Sequence, residues 1–191
     1  MKYDNLNQFK DSFTSYTELR VQENRNNRVN LTNGDVTGNI AGTVSGVSAR
    51  VFKDGNWGFS SNPDISNVSI ENVVRASTDN VQFMNKKDTT RCGLFLPETQ
   101  ANYIMNFTTK KDRQNQKFWV DFIKEVDGYI EKKYPELLSR NLVLGGLDME
   151  KSLFTSDGSE SYSMTPRAML YIMLTIEKDG APISLMEVWG G

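Results

Sequence analysis

Apolar and polar residues alternate over much of the first third of the chain, and this period of two predicts β-strands. The segment TELRVQEN places Leu19 and Val21 on one face, and the alternation returns in RVNLTNGDVTGNIAGTV after the polar residues RNN. We therefore expect two strands separated by a break. Asn-Gly and Asp-Gly pairs supply the positive φ angles of tight type I′ turns. Such pairs occur at Asn33-Gly34, Asp54-Gly55, Asp157-Gly158 and Asp179-Gly180. Hairpins of antiparallel strands are thus predicted in both halves of the chain.

Three other segments repeat apolar residues at helical spacing. They predict a short amphipathic helix over residues 4–16, a second helix over 67–84 with Ser66 or Ser69 as its N-cap, and a third that ends before Pro135. The third helix has the clearest stripe, and we expect that stripe to be buried against a sheet rather than to line a ligand pocket. Its members are Phe118, Trp119, Phe122, Ile123, Val126, Tyr129 and Ile130.

Strands return after the third helix. The segment AMLYIMLTI, residues 168–176, is apolar on both faces, which is typical of a strand covered on each side. If this edge of the sheet were exposed, we would expect self-association. The predicted fold class is α+β, with antiparallel, hairpin-rich sheets packed with amphipathic helices in two substructures. We place an N-terminal α+β domain at residues 1–87, a solvated connection at 88–112 and a middle α+β region at 113–191.

Composition narrows the functions that the chain can have. A formal net charge of -2 and a pI near 5.3 give no basic patch for direct nucleic-acid binding. No apolar run approaches the roughly 20 residues that span a bilayer, and the N-terminal residues do not resemble a secretion signal. We therefore expect a cytoplasmic protein without a membrane partner.

Histidine is absent from the sequence, and this absence excludes the catalytic sites that require imidazole. The single cysteine, Cys92, cannot form an internal disulfide, and we interpret it as an inert thiol. A hydrolase based on carboxylates would need a pair such as Asp148 with Glu150 or Asp157 with Glu160. Their positions around a tight turn favour solvated acids.

The hairpin ARVFKDGNWGFSS, residues 49–61, returns with Trp57 and Phe59 on one face and with Gly58 on the other. We interpret the two aromatic residues as cross-strand packing. The alternative is a groove in which an extended peptide adds to the sheet edge. Arg20 and Arg50 are interpreted as surface charges on adjacent strands, and neither is assigned to a site.

The order of these motifs resembles the opening of TldD/PmbA proteins. In that family a strand, a turn with glycine and a glycine-containing run precede the pattern G-V-x-x-R-V-x-x-x-G-x-x-G-F-A-S and a helix. Residues 46–61 match this pattern most specifically, and they favour the TldD side of the family. The segment LDMEKSLFTSDGSESYSMTPRAMLYIMLTIEKDG resembles the family's middle region, with Thr155-Ser156-Asp157-Gly158 at its turn. The resemblance covers about residues 16–85 and 140–191.

The resemblance implies a link to peptidases that have long been labelled modulators of DNA gyrase. Active family members are similar to zinc metallopeptidases whose metal site is a His-Glu-x-x-x-His helix with a later cysteine, beyond the region matched here. No residue of this sequence takes those places, Cys92 included. We therefore assign no catalytic, cofactor-binding or metal-binding residue, and we expect zinc only in a full-length family member.

These considerations predict the N-terminal, non-catalytic portion of a TldD/PmbA-like metallopeptidase that processes peptides and unfolded polypeptides. The portion would end before the metal-binding catalytic domain and would be inactive alone. It would contribute scaffold, dimerisation and peptide-groove surface. The resemblance implies a homodimer, or a heterodimer with a paralogous subunit. The alternative is a non-enzymatic β-rich interaction or dimerisation module that acts as an inactive partner subunit.

Overall fold

A computed structural model of the chain describes residues 5–87, 100–107 and 113–191. Within these ranges a 3-10 helix, two α-helices and seven strands confirm the α+β class. The elements in chain order are the 3-10 helix Leu6–Ser12, β1 (Tyr16–Thr32), β2 (Asp35–Lys53), β3 (Asn56–Asn62), α1 (Asn67–Lys87), β4 (Asn102–Asn106), α2 (Gln116–Lys133), β5 (Ser139–Thr155), β6 (Glu160–Lys178) and β7 (Ala181–Gly190).

Six of the seven described strands follow the order β3-β2-β1-β5-β6-β4, and the seventh, β7, pairs with β6. The pairs β2–β3 and β6–β7 are antiparallel, as the hairpin turns predict. The pair β4–β6 is parallel. Strand β6 is long enough to pair with β4 over Glu160–Met164 and with β7 over Met169–Lys178.

The chain folds into two compact units, and neither unit is continuous in sequence. The first unit takes the described parts of residues 1–24, 44–107 and 149–165, and the second takes those of 25–43, 108–148 and 166–191. The long strands β1, β2, β5 and β6 therefore contribute residues to both units. The domain boundary that we predict at residues 88–112 lies largely outside the described residues and stays a prediction, as does the interpretation of Cys92.

The core of the first unit forms where the alternating strands meet α1. Burying these side chains removes apolar surface from water, at about 25 cal/mol per Å². A side chain at Gly58 would not fit beside this core, because a Cβ there would lie 2.1 Å from the carbonyl oxygen of Ser77 and 2.5 Å from the backbone nitrogen of Val81. The buried core residues are Leu6, Phe9, Leu19, Val21, Val47, Ala49, Ile70, Val73, Val74 and Phe154.

The second unit has its own core, in which α2 covers one face of the sheet. Two of the residues predicted to line the helix, Ile123 and Ile130, are buried there. Phe118, Phe122 and Tyr129 are exposed, so the prediction of a fully buried aromatic stripe is wrong for these three. A helix on a sheet buries a stripe of limited width, and the aromatic residues lie outside it. The buried residues are Val29, Leu31, Ile123, Ile130, Leu142 and Leu144.

Helix α1 lies at Asn67–Lys87 and confirms the helix predicted at 67–84. Its first turn is capped by Ser66, whose hydroxyl oxygen accepts a hydrogen bond of 3.3 Å from the backbone N–H of Ser69. Asp64 accepts hydrogen bonds from the hydroxyl groups of both serines. The helix therefore begins where the capping residues satisfy its free N–H groups.

Four local predictions need correction. The break predicted at RNN, residues 25–27, is absent, because β1 continues through it. Backbone pairing maintains a strand even where its side chains are polar. The helix predicted over residues 4–16 is the 3-10 helix Leu6–Ser12. The connection predicted over residues 88–112 contains β4, whose five residues are too short to show a period. The prediction that AMLYIMLTI is covered on both faces is wrong, because Met169, Tyr171 and Met173 are exposed.

The backbone confirms three of the four predicted type I′ turns. Both residues have positive φ at Asn33-Gly34, Asp54-Gly55 and Asp179-Gly180. At Asp157-Gly158 only Gly158 has a positive φ, of 92°. Here the backbone N–H of Thr155 donates to the carbonyl of Ser159 across a longer turn.

Candidate functional site: an open apolar face of the sheet

The second unit carries an apolar surface on the side of the sheet that does not face its core. Successive side chains of a strand point to opposite faces. In β6, Leu170 and Leu174 pack against the core around α2, whereas the intervening odd-numbered residues point away from it. We call the resulting surface the open apolar face and define it by Ile40, Val143, Leu147, Met169, Tyr171, Met173 and Met186.

The open apolar face forms a shallow groove with a volume of about 740 Å³. Met173 and Met186 are opposite partners in the register of β6 and β7, so their side chains project on the same side. Met169 and Tyr171 extend the groove along β6. Methionine is flexible and polarizable, and surfaces rich in it accommodate apolar groups of different shapes.

Polar side chains stand at the rim of this groove. The Nε of Arg28 donates a 3.0 Å hydrogen bond to the Oδ1 of Asn30. No described residue forms an ion pair or a hydrogen bond with the guanidinium of Arg167, and that group also lines the groove. Asn26 and Asn141 add amide groups. The rim can therefore bind backbone carbonyls or a carboxylate, while the centre of the groove takes apolar side chains.

Strand β7 borders the open apolar face and pairs with β6 alone among the described strands. All ten of its residues are exposed. Five of them, Ile183, Leu185, Met186, Val188 and Trp189, are large and apolar. A long, exposed edge of this kind presents unpaired N–H and C=O groups to which an extended chain can add. Residues 169–178 of β6 are thus paired with β7, and β7 forms the exposed edge.

The first unit contains the two aromatic residues that the sequence singled out. The ring of Trp57 lies 5.1 Å from that of its cross-strand partner Phe52 and 6.1 Å from that of Tyr16. The guanidinium of Arg50 lies 4.8 Å above the Trp57 ring. These contacts confirm cross-strand packing for Trp57. Phe59 is 56% exposed and lies opposite Arg50, on the same face.

The arginines of this surface make local contacts. The Nε of Arg50 donates a 2.8 Å hydrogen bond to Glu18, and Arg20 donates to Gln22 on its own strand. Burial, followed by the charge of Glu18, raises the pKa of Tyr16 to about 12. The interpretation of Arg50 and Arg20 as surface charges on adjacent strands agrees with these contacts.

Three of the four acidic residues considered for a hydrolase have structural partners. Arg113 lies 3.0 Å from Asp148, and the hydroxyl of Tyr162 donates a 3.1 Å hydrogen bond to Glu150. Asp157 accepts a hydrogen bond from Thr155 at the turn. These contacts give each of the three carboxylates a role in the fold and do not favour a carboxylate-based hydrolase.

The described part of the chain offers no cluster of metal-binding side chains. Among the described residues, no group of three or more Asp, Glu, Cys or His is arranged to hold a metal ion, and the sequence has no histidine. No described helix has the length and apolar character needed to cross a membrane.

The sequence carries a signal for the open apolar face, although the alternation of polar and apolar residues does not predict it. In AMLYIMLTI the even positions carry Leu and Ile, whereas Met169, Tyr171 and Met173 occupy the odd ones. Aliphatic residues are typical of a packed core, and Met and Tyr are common on binding surfaces. The difference between the two faces is chemical, so a test of polarity alone does not detect it.

Comparisons with known proteins identify the fold. Residues 17–81 match the family model described as PmbA/TldA metallopeptidase domain 1. A search of curated proteins finds no match to the chain. A solved structure of TldE from Thermococcus kodakarensis superposes with a TM-score of 0.75 at 10% identity, covering 100% of this chain and 43% of that one.

Two further solved structures are described as presumed modulators of DNA gyrase. The structure from Bacteroides thetaiotaomicron superposes with a TM-score of 0.74 at 14% identity. The match covers 100% of this chain and 46% of that one. The structure from Thermotoga maritima superposes with a TM-score of 0.67 at 18% identity. The match covers 92% of this chain and 39% of that one. This chain thus spans less than half the length of the solved structures that it matches. Residues 17–81 are therefore similar to a first domain of the PmbA/TldA type, and the solved structures share the fold of the chain.

Proposed function

We propose that this chain is the N-terminal, non-catalytic portion of a TldD/PmbA-like metallopeptidase that processes peptides and unfolded polypeptides. The observation that carries the proposal is the match of residues 17–81 to a metallopeptidase domain 1. The zinc and the groups that activate water belong to sequence beyond the matched region. The residues of this chain supply scaffold and a surface that binds the polypeptide.

The open apolar face supports the binding role. An unfolded polypeptide exposes apolar side chains and unpaired backbone groups. The groove around Tyr171 and Met173 can contact apolar side chains of different shapes. The guanidinium of Arg167 can pair with a carboxylate. The exposed edge of β7 offers main-chain pairing, which does not depend on the sequence of the bound chain. Together these features suit substrates of varied sequence.

Dimerisation is the second part of the proposal. We propose that the full protein pairs with itself or with a paralogous subunit. In the alternative, this chain is a non-enzymatic module that completes an active partner. Exposed apolar edges favour association in either case.

The first test compares this chain with the same chain extended through its natural downstream sequence. Both are incubated with zinc and an unstructured, fluorogenic peptide. We expect cleavage by the extended protein alone, and we expect a chelator to abolish it. Cleavage by the 191-residue chain would overturn the assignment of a non-catalytic portion. An inactive extended protein that becomes active when a paralogous subunit is added would favour the alternative.

The binding role is tested in the extended protein with Met173→Lys on the open apolar face. Losing one apolar contact and introducing a charge should lower kcat/KM about tenfold, mainly through KM. The matched control is Val68→Lys, at an exposed position of α1 in the first unit. Equal kinetics for the two variants would exclude the open apolar face from substrate binding, while leaving the peptidase assignment intact.

A further inference from the structure

A second cavity lies within the first unit, separate from the residues of the open apolar face. Its volume is about 390 Å³, within the usual range of small-molecule sites. The 3-10 helix contributes Leu6 and Asn7, and the parallel strand β4 contributes Asn102 and Ile104. Strands β5 and β6 form the remaining wall.

The floor of the cavity is apolar. Phe154 and Leu6 are buried members of the core of the first unit, and Ile104 lies beside Tyr162 in the β4–β6 register. The hydroxyl of Tyr162 is engaged by Glu150, 3.1 Å away, and this hydrogen bond holds the tyrosine ring in place. An apolar ligand group of the size of a phenyl ring would meet hydrocarbon on several sides.

Polar groups without described partners converge on this apolar floor. Ser152 is only 8% exposed and lines the cavity, and the described part of the chain provides no hydrogen-bond partner for its hydroxyl. The carboxylate of Glu160 likewise has no described cation or hydrogen-bond donor. Its backbone is fixed, because its N–H donates a 3.0 Å hydrogen bond to the carbonyl of Ala101. Asn102 lies next to Glu160 in the register.

The charge of the lining selects the class of ligand. Among the described residues that line the cavity, Glu160 is the one carboxylate and none is Lys or Arg. A hydroxyl and a carboxylate for which the described residues provide no partner both suit a group rich in N–H donors. An anionic ligand would meet the negative charge of Glu160 without a compensating cation from the described lining.

We propose that this cavity binds a small amphiphilic amine. The apolar part of the ligand lies against Leu6, Ile104 and Phe154. Its ammonium group donates hydrogen bonds to the carboxylate of Glu160 and to the oxygen of Ser152. The site belongs to this chain alone and does not depend on the proposed peptidase function.

The test uses three probes of nearly equal shape: 2-phenylethylamine, 2-phenylethanol and phenylacetate. Binding to the full 191-residue chain is followed by NMR shifts of Ile104 and Tyr162. We expect the amine to bind with a Kd of about 10 mM or tighter, as a ligand of this size allows. We expect weaker binding of the alcohol and no binding of the carboxylate. Equal affinity of the amine and the alcohol, or no shift with any of the probes, would overturn the proposal.

Two variants localise the ammonium group. Glu160→Gln removes the charge at an exposed position and should weaken amine binding about tenfold, as expected for a charge-assisted hydrogen bond. Glu187→Gln removes the same charge from the exposed strand β7 and should leave the affinity unchanged. Equal losses for the two variants would show a nonspecific effect of net charge and would contradict the site. Because both positions are exposed, neither variant should disturb folding.

Discussion

The guanidinium of Arg140 binds the carboxylate of Asp127 through two hydrogen bonds. The Nε lies 2.9 Å from Oδ1, and a terminal nitrogen lies 3.3 Å from Oδ2. The two side chains are 9% and 3% exposed, so the pair is almost completely desolvated. A further hydrogen bond of 3.0 Å reaches Glu131. Hydrogen bonding to Asp127, opposed by burial, raises the pKa of Arg140 above its ordinary value.

This ion pair connects α2 to the start of β5, and the backbone of Arg140 extends the connection to the β1–β2 turn. Its N–H donates a 2.7 Å hydrogen bond to the side chain of Asn33, and its carbonyl accepts a 2.9 Å hydrogen bond from the N–H of Asn33. One residue therefore fixes a helix, a strand and a turn of the second unit.

Removing the guanidinium should strongly destabilise the second unit. We expect Arg140→Met to lower the free energy of unfolding by about 3–5 kcal/mol, because the carboxylate of Asp127 stays buried without a partner. Urea denaturation followed by fluorescence measures the change.

The matched control for this variant is Lys117→Met, which breaks the exposed pair with Asp121 on the same helix. That change should cost less than about 0.5 kcal/mol. Similar losses for Arg140→Met and Lys117→Met would mean that the buried pair is not the source of the stability.

Gly58 should not tolerate a side chain. In Gly58→Ala the new methyl group would lie 2.1 Å from the carbonyl oxygen of Ser77, and the backbone of α1 would have to move away from β3. We expect a loss of about 3 kcal/mol in the free energy of unfolding. Gly145→Ala is the control, because nothing lies within 4 Å of its Cβ position. A Gly58→Ala protein as stable as Gly145→Ala would contradict the close approach of α1 to β3.

Tyr16 should make stability depend on pH in alkaline solution. Its pKa is raised from 10.0 to about 12, so the folded protein keeps the phenolic proton where the unfolded chain loses it. The resulting stability is present below pH 10 and is lost as the pH rises through about 12. The Tyr16→Phe variant should lack this pH-dependent contribution to stability. Denaturation midpoints of the two proteins at several alkaline pH values test this, and parallel pH profiles would refute it.

Asp64 should act in the opposite direction in acid. Hydrogen bonds from the hydroxyl groups of Ser69 and Ser66 lower the pKa of the Asp64 carboxyl to about 2. The contribution of the Asp64 carboxylate to folding stability is present above pH 3.8 and is lost as the pH falls through about 2. Asp64→Asn should therefore show a shallower loss of α1 stability in acid, measured by circular dichroism. Asp79→Asn, a change on the same helix outside the cap, serves as the control, and matching acid profiles of the two variants would count against the role of the cap.

Local chemistry made much of the fold predictable. Asn33-Gly34 and Asp54-Gly55 adopt positive φ because few other residues tolerate it, and the turns follow directly from the sequence. Helix α1 begins after Ser66 because the serine caps it. The resemblance to TldD/PmbA proteins likewise depends on motifs of consecutive residues, and the domain match at residues 17–81 agrees with it.

The sequence by itself thus determined three of the four turns, the start of α1, the end of α2 before Pro135 and the likeness of residues 17–81 to a PmbA/TldA first domain. Only the tertiary structure decided that β4 pairs in parallel with β6, that Met173 and Met186 share an uncovered face, and that Asp127 meets Arg140. The physical reason is one of range. Turn and helix signals act through neighbouring residues, whereas burial depends on which distant segments cover a face. Periodicity reports how side chains alternate along a strand and carries no information about what lies against them.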